Sequence, residues 1–315
     1  MTNKEKYIQY CENAKGLKIF YQPWWLDCVC NEQWDVAIAE EKENILGLWP
    51  YWKKVKYGIS YIIMPKFTQI SGPVILYPPD QSVIKRQSFY KKVMDLLFTQ
   101  LPDAHWIRLN LDYEHLNWQP LYWKGFTQTT RYTYTIESPP SNPDLLLKSF
   151  SKSARQEIKK AQKNVSISET NDIEKFYYLN KKSFERKRQR LPFNFADLEK
   201  LYKIASENGR GKIIIAKDSE GKVHSGLFFI WDEQYVYYLA GGGMPHFRDS
   251  GSKFLLSSEA INFAAENNLS VNFLGSMIEG VSYYARQFGA IPVPYHVVQK
   301  VDNAVLKTYF SLRRM

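Results

Sequence analysis

The stretch GGGMPHFRDSG (residues 241–251) sets three glycines, a histidine and an arginine where an apolar strand pattern gives way to a helical one. A strand-to-helix junction offers unpaired backbone N–H groups and the positive end of a helix dipole, which together seat a phosphate. Glycines 241–243 permit close approach to the backbone. Two imidazoles, His224 and His246, are available as general bases, and His246 lies inside the junction itself. There is no Walker lysine pattern and no G-x-G-x-x-G, so the ordinary nucleotide folds do not apply.

Charge supports an anionic partner. The chain carries a formal net charge of +10, unevenly spread. Lys148, Lys152, Arg155, Lys159, Lys160 and Lys163 crowd one segment against Glu157 alone. Lys181, Lys182, Arg186, Lys187, Arg188 and Arg190 crowd another against Glu185. Such clusters suit phosphate, nucleic acid or an acidic lipid surface, or they are solvated helix faces. The cysteines point to no metal or disulfide framework. Cys28 and Cys30 lack the two-residue gap of a zinc knuckle, and Cys11 has no histidine nearby.

These residues need a scaffold, and the sequence writes one twice. WDVAIAEEKENILGLWPYWKK (34–54) is a strand, a charged turn and a Gly47-led strand; KIIIAKDSEGKVHSGLFFIW (212–231) repeats it around Gly226. The helix-then-strand pattern of 89–112 is matched by 254–276, and the aromatic turn of 121–136 by 283–298. The offset, about 165–180 residues, far exceeds a solenoid period and marks a duplicated domain. At 315 residues, 44% hydrophobic and 23% charged, the chain can fill two cores. The proline-rich ESPPSNP (137–143) divides it into expected domains 1–137 and 138–315. In the second, a basic linking helix is expected over 145–163, with Leu146, Phe150, Ala154, Ile158 and Ala161 on its apolar side. A helix from Asp172, a break at Pro192, a helix ending at Gly209 and strands at 212–217, 226–231 and 235–240 follow. The result is a mixed α/β fold. No apolar run approaches membrane-spanning length, and MTNKEKYIQYCENAKGLK does not read as a signal peptide, so a cytoplasmic protein is expected. Nothing in the sequence specifies an oligomeric state.

Strand, strand, strand, phosphate-loop helix, strand and aromatic helix is the order of the GNAT acyltransferase fold. Two such units joined by a basic helix resemble the FemABX-like family of peptidoglycan aminoacyltransferases. SKSARQEIKKAQK (151–163), FFIWDEQYVYYLAGG (228–242), SGSKFLLSSEAINFAAENN (250–268) and FLGSMIEGVSYYARQFGA (273–290) carry the likeness over nearly the whole chain. The donor loop of GNAT proteins, Gln/Arg-x-x-Gly-x-Gly/Ala, corresponds to Arg248-Asp-Ser-Gly251-Ser252-Lys253, its final small residue replaced by lysine. The first half has no Arg-x-x-Gly in residues 70–88, which implies a non-catalytic domain that shapes the acceptor cleft. The long helical arm of some staphylococcal members has no room between Asp172 and Gly211.

The resemblance implies amide formation on an amine. Tyr238, Ala240, Gly241 and Gly242 would line the donor strand, with Arg248, Gly251, Ser252 and Lys253 on its phosphates. Tyr284, four residues before Phe288-Gly289, would protonate the leaving group. Glu279 and His246 are further acid–base candidates, and Arg186, Arg188, Arg190 and Ser276 would meet the acceptor. No tightly bound cofactor or metal is expected. The donor would be aminoacyl-tRNA or acyl-CoA, and the acceptor an anionic, nucleotide-linked peptidoglycan precursor, an amino sugar or a small amine. An inactive module that grips an anion is the third possibility.

Overall fold

Each half of the chain sets helices ahead of an antiparallel strand pair. In the computed structural model, which describes residues 1–312 apart from Glu43, Leu116 and Ser276, the first half begins with α1 (Asn3–Asn13) and α2 (Pro23–Cys30). Thr2 and Glu5 close a reciprocal capping box on α1. Then come β1 (Asp35–Glu41), β2 (Asn44–Tyr51), β3 (Lys53–Lys56), β4 (Ile59–Ile63) and β5 (Val74–Ile75). The half ends with α3 (Val83–Gln100), β6 (Trp106–Asn110), α4 (Gln119–Trp123) and β7 (Thr127–Ile136).

The basic segment forms two helices, α5 (Pro143–Ser149) and α6 (Lys152–Ala161), rather than the one expected over 145–163. Asn142 caps the first and the Ser151 hydroxyl the second, so the chain restarts at Phe150–Ser151. The apolar register survives this break: Leu146, Phe150, Ala154, Ile158 and Ala161 are all buried in one core. β8 (Ser166–Glu169) precedes α7 (Ile173–Arg186) and α8 (Phe195–Glu207), capped by Asp172 and Asn194. The second half then runs β9 (Gly211–Lys217), β10 (Val223–Trp231), β11 (Tyr235–Gly243), α9 (Ser252–Glu266), β12 (Ser270–Asn272), α10 (Glu279–Arg286), β13 (Ile291–Val301) and α11 (Ala304–Leu312).

The repeat is visible in the pairing. β1 runs antiparallel to β2 and β2 to β5; β9 runs antiparallel to β10 and β10 to β11. Segments 34–41 and 212–217 thus hold equivalent places in their hairpins. The compact units fall at 1–131 with 294–315, and at 132–293. They differ from a division at Glu137/Ser138 because the last strand of each half pairs in the other unit. The end of β7 pairs with β12, Val271 opposite Ile136, whereas β13 pairs with β6, Val297 opposite Asn110.

In the first unit α3 packs Val93, Met94 and Leu97 on Ala37, Trp49, Ile107, Leu109 and Val298. In the second, α9 buries Leu256, Ala260, Ile261 and Ala264 against Phe229, Val236 and Val271. No helix among the described residues is long and apolar enough to cross a membrane. At Gly242 the end of β11 closes on the backbone of α7. A Cβ there would lie 2.4 Å from the Asn180 nitrogen and 2.5 Å from the Leu179 carbonyl carbon of α7. Gly242→Ala must push two backbones apart and should cost about 3 kcal/mol, as overpacking does. Chemical denaturation would measure it; stability equal to that of the parent would show that α7 can shift freely.

Candidate active site

β11 lies between β10 and β12, but its two sides differ. Its ladder with β12 covers only Tyr235–Tyr237, opposite Ser270–Asn272. Its ladder with β10 runs on to Gly243, skipping Leu239 between the pairs Phe228–Ala240 and Phe229–Tyr238. Leu239 is therefore a bulge, which bends the strand where its partner ends. From Tyr238 onward, β11 has no strand partner on the β12 side among the described residues. Backbone groups at such an opening can hold a donor carbonyl or an extended chain.

The glycines serve this arrangement unequally. They continue the strand, which ends at Gly243, and do not form a loop. Gly242 faces α7, and Ser183 of that helix donates to the Gly243 carbonyl at 3.1 Å while accepting its N–H at 2.9 Å. Only Gly241 is exposed. The close approach read from the three glycines is thus made by a helix at Gly242, not by a ligand.

A short 3-10 segment, Pro245–Ser250, leads to Gly251, which stands at φ 72° as the N-cap of α9. A Cβ on Gly251 would sit 2.3 Å from the Glu157 carbonyl of α6, so glycine is required by both conformation and space. Gly251 supplies no side-chain cap. The Ser250 hydroxyl takes the Ser252 N–H at 3.3 Å, and Ser225 donates to Ser252 at 2.7 Å. The first turn of α9 retains the positive end of its dipole.

Four cations gather at this helix start. Burial, then the charges of Arg186, Lys187 and Arg248, lower the Lys253 ammonium to about 8. The stem of Lys253 lies along Gly243. None of the four has a carboxylate within ion-pair distance among the described residues. A cluster of like charges without a counter-ion, at a helix N-terminus, has the chemistry to seat an anion. Arg248 and Lys253, expected together on the donor phosphates, are joined by Arg186, which was expected at the acceptor, and by Lys187. Lys187 was legible only as one of a basic run; the end of α7 selects it.

Two tyrosines fix the same turn. Tyr284 on α10 donates to the Lys253 carbonyl at 3.0 Å, leaving Ser257 to donate to Tyr284 across 2.7 Å. Tyr238 donates to the Ser257 carbonyl at 2.5 Å. Burial raises both phenols well above their ordinary range, so both stay protonated near neutrality. Phe254 and Phe288 flank the Tyr284 ring at 5.0 and 5.3 Å.

The remaining candidates lie apart from this cluster or do other work. His246 is exposed against Phe247. His224 is buried, 3.2 Å from Asp218, and stacks on Phe247 at 3.7 Å, which anchors the 3-10 segment. Glu279 is exposed in the first turn of α10. Arg188 and Arg190 are exposed beyond α7, Arg188 at φ 54°. Ser276 lies outside the described residues. Arg155, from the first basic cluster, donates to the Lys148 and Phe150 carbonyls and so caps α5. Among the described residues no group of three His, Cys, Asp or Glu side chains could hold a metal ion, and the three cysteines are free.

Two outcomes follow from this geometry. A bound phosphate would return Lys253 toward the ordinary lysine range, so binding takes up a proton above about pH 8. Affinity for pyrophosphate should then fall as pH rises from 7 to 9.5, and Lys253→Arg should remove the dependence; calorimetry at both pH values checks this. Tyr284→Phe strips a partner from Ser257 and the Lys253 carbonyl and should cost about 1–3 kcal/mol in a thermal melt.

Residues 148–285 match the profile of the Acetyltransferase (GNAT) domain. Comparison with curated proteins finds no match. Among solved structures, FemX superposes with a TM-score of 0.68 at 14% identity, over 94% of this chain and 96% of that one. L-PGS from Bacillus licheniformis follows at 0.57 and 10% identity, over 98% and 95%. A C-terminal domain (DUF2156) of a putative lysylphosphatidylglycerol synthetase from Agrobacterium fabrum also reaches 0.57, at 9% identity over 96% and 93%. Residues 148–285 thus form an Acetyltransferase (GNAT) domain, and the chain as a whole has the fold of FemX, a mixed α/β architecture of two tandem GNAT-like units.

Proposed function

We propose that the protein transfers an aminoacyl group from a phosphate-bearing donor, held at the start of α9, to an amine on an anionic acceptor. The observation that carries this reading is the set of Arg186, Lys187, Arg248 and Lys253 around an uncapped helix start, beside the open side of β11. The amine nitrogen attacks the donor carbonyl held against the bulged strand. The tetrahedral intermediate then expels the donor oxygen or sulfur, which takes a proton as the amine loses one. Tyr284 is the proton carrier assigned to the leaving group: its hydroxyl turns from the Lys253 carbonyl to give up the proton, and the proton shed by the amine restores it. Aminoacyl transfer is supported by likeness of fold to FemX and to a putative lysylphosphatidylglycerol synthetase domain, and the FemABX-like resemblance adds aminoacyl-tRNA as donor and a peptidoglycan precursor as acceptor. A second reading, acyl-CoA as donor, is favoured by retention of Arg248 and Gly251 in the loop, since the seat also fits a diphosphate.

Salt separates the two donors. Each phosphate of a tRNA neutralised by the protein releases counterions, so log affinity should fall with log salt by about 0.7–0.9 per contact. CoA carries few charges and should show a shallow slope. Charge reversal at Lys159, Lys160, Arg186 and Arg188, all exposed, should flatten the tRNA slope and leave the fold intact. Arg248→Ala and Lys253→Glu should each weaken either donor by about 1.5–3 kcal/mol. A wild-type protein that binds acetyl-CoA but no tRNA at low ionic strength makes acyl-CoA the donor. Unchanged donor affinity in both loop variants removes the seat from α9.

A further inference from the structure

The first unit carries a second concentration of positive charge, away from its helix-packed core. Ile107, Leu109 and Val298 turn toward α3, so Arg108 and Asn110 on β6 face the other way. The antiparallel register sets Gln299 opposite Arg108 and Val297 opposite Asn110, which places Tyr295 on that same face. The first half of β7 runs alongside β13, where Thr127 donates to the Gln299 carbonyl at 3.2 Å. From β7, Arg131 reaches the Tyr295 phenol oxygen, as does Gln69. Asn110 donates to the Gln69 backbone carbonyl at 3.0 Å, which ties the Gln69 segment to this face.

The charges here do not close. Arg108 is half-buried and Arg131 exposed, and neither has a carboxylate within ion-pair distance among the described residues. Burial, then the nearby Arg131 charge, disfavours the charged form of Arg108, yet a guanidinium does not deprotonate in a protein. Two forks that repel each other on one sheet face lack an anion. Tyr295 is 4% exposed, and Arg131 and Gln69 lie beside its phenol. Two guanidinium forks and a phenol on one sheet face are the chemistry that binds a phosphate or carboxylate.

We propose that Arg108, Arg131 and the Tyr295 hydroxyl form a binding site for an oxyanion group, a phosphate or a carboxylate, carried by the acceptor. Attribution to the acceptor rests on the acyl-transfer reading; the anion site itself does not. The first unit then has a recognition role of its own, which the absence of a donor loop in residues 70–88 leaves it free to take.

Calorimetric titration of inorganic pyrophosphate into the full chain at low ionic strength tests the site. The wild type should show two sites, one in each unit. R108Q/R131Q should lose one of them, its dissociation constant rising about tenfold or more per arginine, and R248Q/K253Q should lose the other. Y295F should weaken the first-unit site severalfold. Two sites persisting in R108Q/R131Q overturn the proposal while leaving the donor seat standing, whereas two sites persisting in R248Q/K253Q overturn the donor seat alone. Malonate in place of pyrophosphate separates the chemistries: a heat lost in R108Q/R131Q marks a carboxylate site, and a response to pyrophosphate alone marks a phosphate site.

Discussion

The second unit depends on the contact between the backbone of α7 and the last residues of β11. At Gly242 the helix comes so near that no side chain fits, and Ser183 exchanges two hydrogen bonds with Gly243. This contact brings the C-terminal end of α7, with Arg186 and Lys187, against the strand that leads into α9. Without it the two basic residues would be an ordinary solvated helix end. With it they share one field with Arg248 and Lys253.

That field is not relieved by the protein. Glu185 pairs with Lys182 at 2.9 Å and Glu157 with Lys160 at 3.7 Å, so nearby acids are engaged elsewhere. A folded chain tolerates such uncompensated charge when a ligand supplies the missing sign; burial first and the neighbouring cations second depress Lys253. The tyrosines act differently. Tyr238 and Tyr284 hold α9 through Ser257 and the Lys253 carbonyl, so the first turns are fixed relative to β11 before any donor binds. Preorganisation of this kind lowers the ordering cost of binding.

The repeat explains an otherwise odd division of the chain. Each half builds its own hairpin and core helix, then gives its final strand to the other unit's sheet. The division at the proline-rich stretch 137–143 follows the order of elements, whereas the compact units follow the hydrogen bonds of β7 and β13. The exchange also places Tyr295, from the end of the second half, beside Arg108 and Arg131 from the first.

Much of this was present in the residues. The apolar strand runs of 34–41 and 212–217, the apolar spacing from Leu146 to Ala161, and the caps at Asp172 and Gly209 all depend on neighbours in sequence. So does the meeting of Arg248 with Lys253, five residues apart across Gly251. Other features depend on partners distant in the chain, which no local pattern encodes. The restart of the basic helix at Ser151 is one; its N–H is taken by the Gln287 carbonyl, 136 residues away. The true neighbour of Gly242 is α7, not a ligand, because packing of helix on strand chose which glycine was needed. His224 looked like a base and is a buried prop for Phe247. The sequence by itself therefore determined the two α/β units and the basic, glycine-bearing loop, through local periodicity, capping and composition. The tertiary structure decided which cations share a field, which hydroxyls hold α9 and which strand completes which unit, because each is a contact between segments that only the fold brings within a few ångströms.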